Sequence, residues 1–110
     1  MLHVVDTVEV DPDRAGDYVE LIRALGVTVM TEAGASLVSC AATSADIGEP
    51  VSVQVVWGCD GYPAWNEIRM HLVLDPRWHE LGSRAAALRR GGTRRFYTPV
   101  DLRSAPVASG

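Results

Sequence analysis

Two Asp-Pro pairs, Asp11-Pro12 and Asp75-Pro76, divide this chain into segments of different periodicity. An aspartate can accept hydrogen bonds from the free amides of a first helical turn, and proline at that position loses no donor that the helix needs. We therefore predict a helix start at each pair. Before the first pair, residues 2–10 alternate between apolar and other side chains, which is the period of a strand with one buried face. The apolar positions of this strand are Leu2, Val4, Val8 and Val10.

The segment after Asp11 has the apolar spacing of a helix and is predicted to end near Ala33-Gly34. Its stripe is Ala15, Tyr18, Val19, Ile22 and Leu25, and Met30 extends it if the helix continues through Gly26. Residues 35–45 and 50–59 are rich in β-forming side chains and predict a hairpin with a loop of about five residues over 46–50.

Two more helices and a last strand complete the chain. The first of these helices carries Ala64, Trp65, Ile68, His71 and Leu72, and the one after Asp75 carries Trp78, Leu81, Ala85 and Leu88. Gly91-Gly92 is predicted to close the last helix, and residues 93–102 to form the last strand.

The resulting order, βαββααβ, predicts an α+β fold of the ferredoxin-like type, with a four-stranded antiparallel sheet and all helices on one face. A chain of 110 residues is the size of one domain. We assign residues 1–103 to that domain and predict a flexible tail over 104–110, which is rich in Ala, Ser, Pro and Gly.

The sheet face away from the helices is predicted to be half apolar. Its residues are His3, Val5, Thr7, Glu9, Ser52, Gln54 and Val56. Such a face either lies against another chain or stays at the surface, and we favour a homodimer formed through the sheet faces.

Composition excludes several classes of function. The formal net charge of −4 argues against a nucleic-acid partner. The absence of lysine excludes Schiff-base chemistry and Walker-type phosphate binding. Two cysteines and three scattered histidines do not have metal-ligand spacing, so neither a metal nor a cofactor is predicted. No apolar run is long enough for a membrane span and no export signal is visible, so the protein is expected to be cytoplasmic.

The strand, the Asp-Pro helix start, the hairpin and the run Asp75-Pro76-Arg77-Trp78-His79-Glu80 before the last strand together resemble the NIPSNAP branch of the dimeric α/β-barrel superfamily. The resemblance covers nearly the whole chain. It implies a homodimer whose two sheets face each other in a barrel. It also implies a place among cofactor-free monooxygenases, polyketide cyclases, isomerases and haem-handling enzymes. Family members often have a basic residue where this chain has Asp6.

Asp6 is the most informative side chain in the first strand, because its alternation places the carboxylate on the same face as the buried valines. A buried carboxylate needs a partner or a raised pKa. Three interpretations remain open. Asp6 can pair with Arg94 or Arg95 of the last strand, a local bulge can turn it outward, or it can act as a general acid or base in a pocket.

His71 is the natural partner for such a carboxylate, since the stripe of its helix predicts that the imidazole points toward the sheet. Tyr18 and Arg69 are candidates to stabilise a developing enolate. Trp57, Trp65, Trp78 and Gln54 are the candidate substrate-binding residues, although the tryptophans can equally be plain core. The pairs Arg89-Arg90 and Arg94-Arg95 form the basic cluster, either as solvated charges at a helix end or as an attraction for an anionic substrate.

These residues lead to one functional hypothesis and two alternatives. The first is a cofactor-independent enzyme that transfers protons on an apolar, aromatic or polyketide-like metabolite, as a cyclase or isomerase does, with Asp6 and His71 as a dyad. The second is a cofactor-free monooxygenase. The third is a non-catalytic ligand-binding or stress protein, for which no ligand-sized cavity is expected.

Overall fold

The computed structural model describes residues 1–43 and 48–103, and its element order is the predicted βαββααβ. The predicted loop over 46–50 and the predicted tail over 104–110 lie wholly or partly outside the described residues. The strands are β1 (Leu2–Val10), β2 (Ser36–Ala42), β3 (Val51–Cys59) and β4 (Arg89–Tyr97), and the helices are α1 (Ala15–Leu21), α2 (Val27–Ala33), α3 (Tyr62–Val73) and α4 (Pro76–Leu88).

The four strands form one antiparallel sheet in the order β2-β3-β1-β4. The core lies between this sheet and the helices. It contains the alternating apolar residues of β1 and β3 together with the inward faces of all four helices. The ferredoxin-like α+β prediction is therefore confirmed. No helix in the described part of the chain has both the length and the apolar character that crossing a membrane requires.

The first helical region continues through Gly26, as the position of Met30 required. A π-helical turn over Ile22–Gly26 joins α1 to α2, and every residue at the junctions keeps right-handed helical dihedrals. The region ends at Gly34, whose φ of 114° favours glycine. The inclusion of Val19 in the buried stripe is wrong. Its side chain is 38% exposed, because neighbouring helical residues point about 100° apart and Tyr18 already faces the core.

The two Asp-Pro starts behave differently. At α4 the Asp75 carboxylate accepts from the Arg77 backbone amide at 2.9 Å, as predicted for a helix cap. At the first start, no side chain caps the helix; Pro12–Arg14 instead forms a 3₁₀ turn closed by the Arg14 amide and the Asp11 carbonyl at 2.9 Å. The predicted capping role of Asp11 is therefore wrong, because the tighter turn satisfies these groups from the backbone.

The last strand starts earlier than predicted. Helix α4 ends at Leu88, and β4 begins at once with Arg89, so Gly91 and Gly92 pair with β1 instead of closing a helix. Gly92 is packed so closely that a Cβ atom on it would lie 3.1 Å from the Thr7 carbonyl oxygen. The glycine therefore permits close strand pairing. The strand ends at Tyr97 instead of residue 102.

The strand register assigns each side chain of β1 and β4 to one face of the sheet. Asp6 lies opposite Arg94 on the helix side, and Val5 lies opposite Arg95 on the open side. The register shifts between Glu9 and Val10, since Glu9 pairs with Gly91 but Val10 pairs with Arg89. One extra residue of β4, Arg90, is therefore accommodated in a β-bulge.

Candidate functional site

A cavity of about 420 Å³ lies between the helix side of the sheet and helices α1, α2 and α4. This volume is within the range of roughly 300–1,000 Å³ that is usual for small-molecule pockets. Its inner wall is buried and largely apolar, and the exposed residues of β4 and Gly82 surround its mouth. The lining residues are Asp6, Val8, Tyr18, Ile22, Gly26, Met30, Val55, Trp57, Trp78, Leu81, Gly82, Ala85, Arg89, Gly92, Thr93 and Arg94.

Small residues from three different elements leave this space open. Gly26 belongs to the π-helical turn, Gly82 and Ala85 to α4, and Gly92 to β4. A Cβ atom added to Gly82 would meet nothing within 4 Å. The cavity thus exists because these positions carry little or no side chain where the helices approach the sheet.

Asp6 and Arg94 form the polar centre of one cavity wall. The Arg94 Nε atom donates to Asp6 Oδ1 at 2.6 Å, and its NH2 nitrogen donates to Asp6 Oδ2 at 3.0 Å. The guanidinium carbon lies 5.2 Å from the centre of the Trp65 ring, which is cation–π distance. Pairing with the last strand was one of the open interpretations for Asp6, and Arg94 is the partner. The alternative of an outward-turning bulge at Asp6 is wrong.

Tyr18 lies in the same cavity and is only 5% exposed. Burial raises the pKa of its phenol above the usual 10.0, and the negative charge of Asp6 raises that pKa further. Arg89 and Arg94 act in the opposite direction with smaller effects on this pKa. At neutral pH the Tyr18 hydroxyl is therefore protonated and can donate a hydrogen bond to an oxygen of a bound molecule.

Four of the eight candidate site residues line the cavity: Asp6, Tyr18, Trp57 and Trp78. Trp65 lies beside it, buried, with its ring 5.8 Å from Phe96 and in contact with Arg94. The aromatic residues thus serve both the core and the cavity, which the sequence left open.

The other three candidates are placed elsewhere. The expectation that His71 points toward the sheet is wrong, because the buried face of α3 consists of Trp65, Ile68 and Leu72, and His71 is exposed. Arg69 is exposed on the same helix and does not line the cavity. Gln54 pairs with Thr7 on the open side of the sheet, with the whole sheet between it and the cavity. An Asp6–His71 dyad is therefore not formed.

Arg89 is the main cavity residue that no candidate role anticipated. The sequence placed it in a basic cluster, but the prediction that α4 continued to Gly91-Gly92 located it on a helix end. The bulge at Arg90 places it on the helix side of the sheet, opposite Val10. Within residues 1–43 and 48–103, no three His, Cys, Asp or Glu side chains come together as a metal site would require.

No model of a known protein family matches this sequence, and no curated protein matches it either. Solved structures do match its fold. An uncharacterized NIPSNAP domain protein from Burkholderia xenovorans superimposes with a TM-score of 0.79 at 21% identity, covering 97% of this chain and 100% of that one.

Two further structures have the same fold. A NIPSNAP family protein from Agrobacterium tumefaciens has a TM-score of 0.76 and 24% identity over 92% of this chain and 87% of that one. A structure named antibiotic biosynthesis monooxygenase has a TM-score of 0.60 and 18% identity over 92% of this chain and 100% of that one. The chain thus has the ferredoxin-like fold of NIPSNAP domain proteins, with a weaker likeness to a monooxygenase structure.

Proposed function

We propose that this protein binds a planar, largely apolar small molecule in the cavity and removes a carbon-bound proton from it. The observation that carries this proposal is the Asp6 carboxylate, which is held by Arg94 at the wall of an aromatic-lined cavity that also contains Tyr18. A base beside a neutral hydrogen-bond donor is the arrangement that enolate formation needs.

Each polar residue has a separate role in this proposal. Asp6 accepts the proton, because a carboxylate has about four lone-pair positions and Arg94 occupies two of them. Arg94 positions the carboxylate, and its charge favours negative charge nearby. Tyr18 donates to the oxygen on which the enolate charge develops. Trp57 and Trp78 provide the aromatic surface against which a planar ring packs.

The carbanion formed in this way has two possible fates. Return of the proton to a different carbon, or attack on a carbonyl in the same molecule, gives isomerisation or cyclisation. Reaction with dioxygen instead gives a cofactor-free monooxygenase, and the name of one structural neighbour favours this second candidate. In that reaction a methylene carbon loses two hydrogens and becomes a carbonyl. One oxygen atom enters the product and the other leaves as water, so no further reductant is consumed.

The test begins with a thermal-shift screen of planar phenolic ketones, since a ligand of the folded state raises the melting temperature. Each ligand is then placed in deuterated buffer, and exchange of its acidic carbon-bound hydrogens is followed by NMR. We expect the wild-type protein to accelerate exchange and Asp6→Asn to lose about a hundredfold or more of that rate. The control is Glu67→Gln, which removes an exposed carboxylate of α3 outside the cavity.

The results separate the candidate functions. Equal exchange rates for the wild type and Asp6→Asn would contradict the proposed base. Ligand binding without any acceleration would support the non-catalytic binding protein. Oxygen uptake, measured with an electrode in step with product formation, would support the monooxygenase, and full turnover without oxygen would exclude it.

We also propose that the open side of the sheet packs against a second copy of the chain. Val56 is already 9% exposed in the single chain, and Val5 beside it is only partly exposed. Such a dimer would cover the half-apolar face and leave the cavity on the helix side accessible in each subunit.

A further inference from the structure

The β-bulge in β4 determines where the Arg89 side chain lies. If the strands paired without it, Val10 would face Arg90, and alternation would turn Arg89 to the open side of the sheet. With the bulge, Val10 pairs with Arg89, which consequently lines the cavity, and Arg90 lies near Asp11, with 3.6 Å between their closest charged atoms. Bulges commonly redirect a side chain beside a functional site.

The charge of Arg89 is not balanced within the described chain. The cavity is lined by two arginines and one aspartate, and Arg94 is already paired with that aspartate. In residues 1–43 and 48–103, no carboxylate lies within ion-pair distance of Arg89, whereas the neighbouring Arg90 has Asp11. One positive charge therefore remains at the cavity.

A structural role at the end of α4 does not account for this arginine. Cationic side chains often bind the free carbonyls at a helix C-terminus. Here that role belongs to Arg14, whose NH1 nitrogen donates to the Ala87 carbonyl at 2.9 Å. Among the described residues, only the backbone amide of Arg89 bonds to the helix, at the Ala85 carbonyl.

We propose that the natural ligand of the cavity is a planar organic monoanion, carrying a carboxylate or phenolate, and that Arg89 is its counter-ion. This inference rests on the proposed function, because it names the class of molecule that the same cavity takes. A guanidinium pairs well with a carboxylate, and apolar surroundings strengthen the attraction. The Asp6 carboxylate does not repel such a ligand strongly, since Arg94 neutralises it.

The probes are 2-naphthoate and its neutral amide, 2-naphthamide, which share the same planar ring system. Binding of both is measured by calorimetry at neutral pH with the wild type, Arg89→Gln and the matched control Arg90→Gln. We expect the wild type and the control to prefer naphthoate by about tenfold or more. Arg89→Gln should lose this preference by binding naphthoate more weakly, while its affinity for naphthamide stays the same.

Two further measurements exclude trivial explanations. Arg89→Lys retains the charge and is expected to keep part of the preference, and added salt should reduce it in the wild type. Gly82→Leu fills the cavity mouth without a backbone clash and should weaken both probes.

The possible failures are distinguishable. If both probes bind the wild type equally well and Gly82→Leu weakens both, Arg89 is not a counter-ion, but the cavity remains a ligand site. A naphthoate preference that survives in Arg89→Gln would also overturn the inference. If neither probe binds, or Gly82→Leu leaves binding unchanged, the proposed function fails together with the inference.

Discussion

Asp6 and Arg94 lie directly opposite each other on β1 and β4, and their side chains form a two-point ion pair although they are 88 positions apart in the sequence. The pair is on the helix side of the sheet, where Trp65 covers one face of the guanidinium and the cavity lies alongside. It therefore links the edge strand to the candidate site. A carboxylate held in this way is oriented before any ligand arrives, which favours catalysis.

Replacing Arg94 by Lys should destabilise the protein by about 1 kcal/mol, because an ammonium cannot make the two-point pair or stack on Trp65 in the same way. Urea denaturation measures the change in the free energy of unfolding. The matched control is Arg95→Lys, on the opposite side of the sheet, which should have little effect. Equal losses in the two variants would show that the Asp6 pair contributes nothing specific.

Tyr18 should ionise only above pH 10, because burial and Asp6 raise the pKa of its phenol from the usual 10.0. The folded state then holds the proton more tightly than the unfolded state. This contribution to stability is complete below pH 10 and is lost as the pH rises through the pKa of the folded protein. The wild type should consequently lose more stability at high pH than Tyr18→Phe. The difference in tyrosinate absorbance between the two proteins reports the Tyr18 titration, and a midpoint below pH 10 would contradict this account.

Gly92→Ala should destabilise the fold by roughly 1–3 kcal/mol, since the new methyl group would lie 3.1 Å from the Thr7 carbonyl oxygen and 3.2 Å from a Val8 methyl group. Gly91→Ala is the control, because a Cβ atom there meets nothing within 4 Å. That substitution should be neutral or slightly stabilising. Thermal melts of both variants test the pair, and similar melting temperatures would mean that β4 moves freely away from β1.

Val5→Asp should separate the proposed dimer, because it places a charge in the centre of the open sheet face. Sedimentation velocity should show a dimer for the wild type and a monomer for the variant. Val19→Asp, which adds the same charge to an exposed position of α1, should stay dimeric. A monomeric wild type at all concentrations tested would remove the basis for the barrel arrangement.

Much of the fold follows from local pattern. The alternation of β1 predicts its buried face and places Asp6 on the helix side, and the Asp75-Pro76 pair predicts the start of α4. Each of these features depends on the side chains of one short segment and on the fixed periods of helix and strand. Such features can be predicted without knowledge of what the segment packs against.

The errors in the predicted site have a common physical origin. His71 and Leu72 are adjacent on α3, and a small rotation of the helix decides which of them faces the sheet. Tertiary packing selects Leu72, because its apolar side chain gains more from burial than an imidazole does. Gly91-Gly92 is a reasonable helix end by local rules, but pairing with β1 uses it as strand.

The amino-acid sequence by itself determined the order of the elements, the faces of β1 and β3, and a chemistry limited to one acidic strand residue, several arginines and a set of aromatics. Only the tertiary structure decided that Arg94 pairs with Asp6, that a bulge turns Arg89 to the cavity, and that small residues of α4, β4 and the π-helical turn leave space there. Periodicity acts over a few residues, whereas register and empty volume arise from elements that meet only when the whole chain has folded.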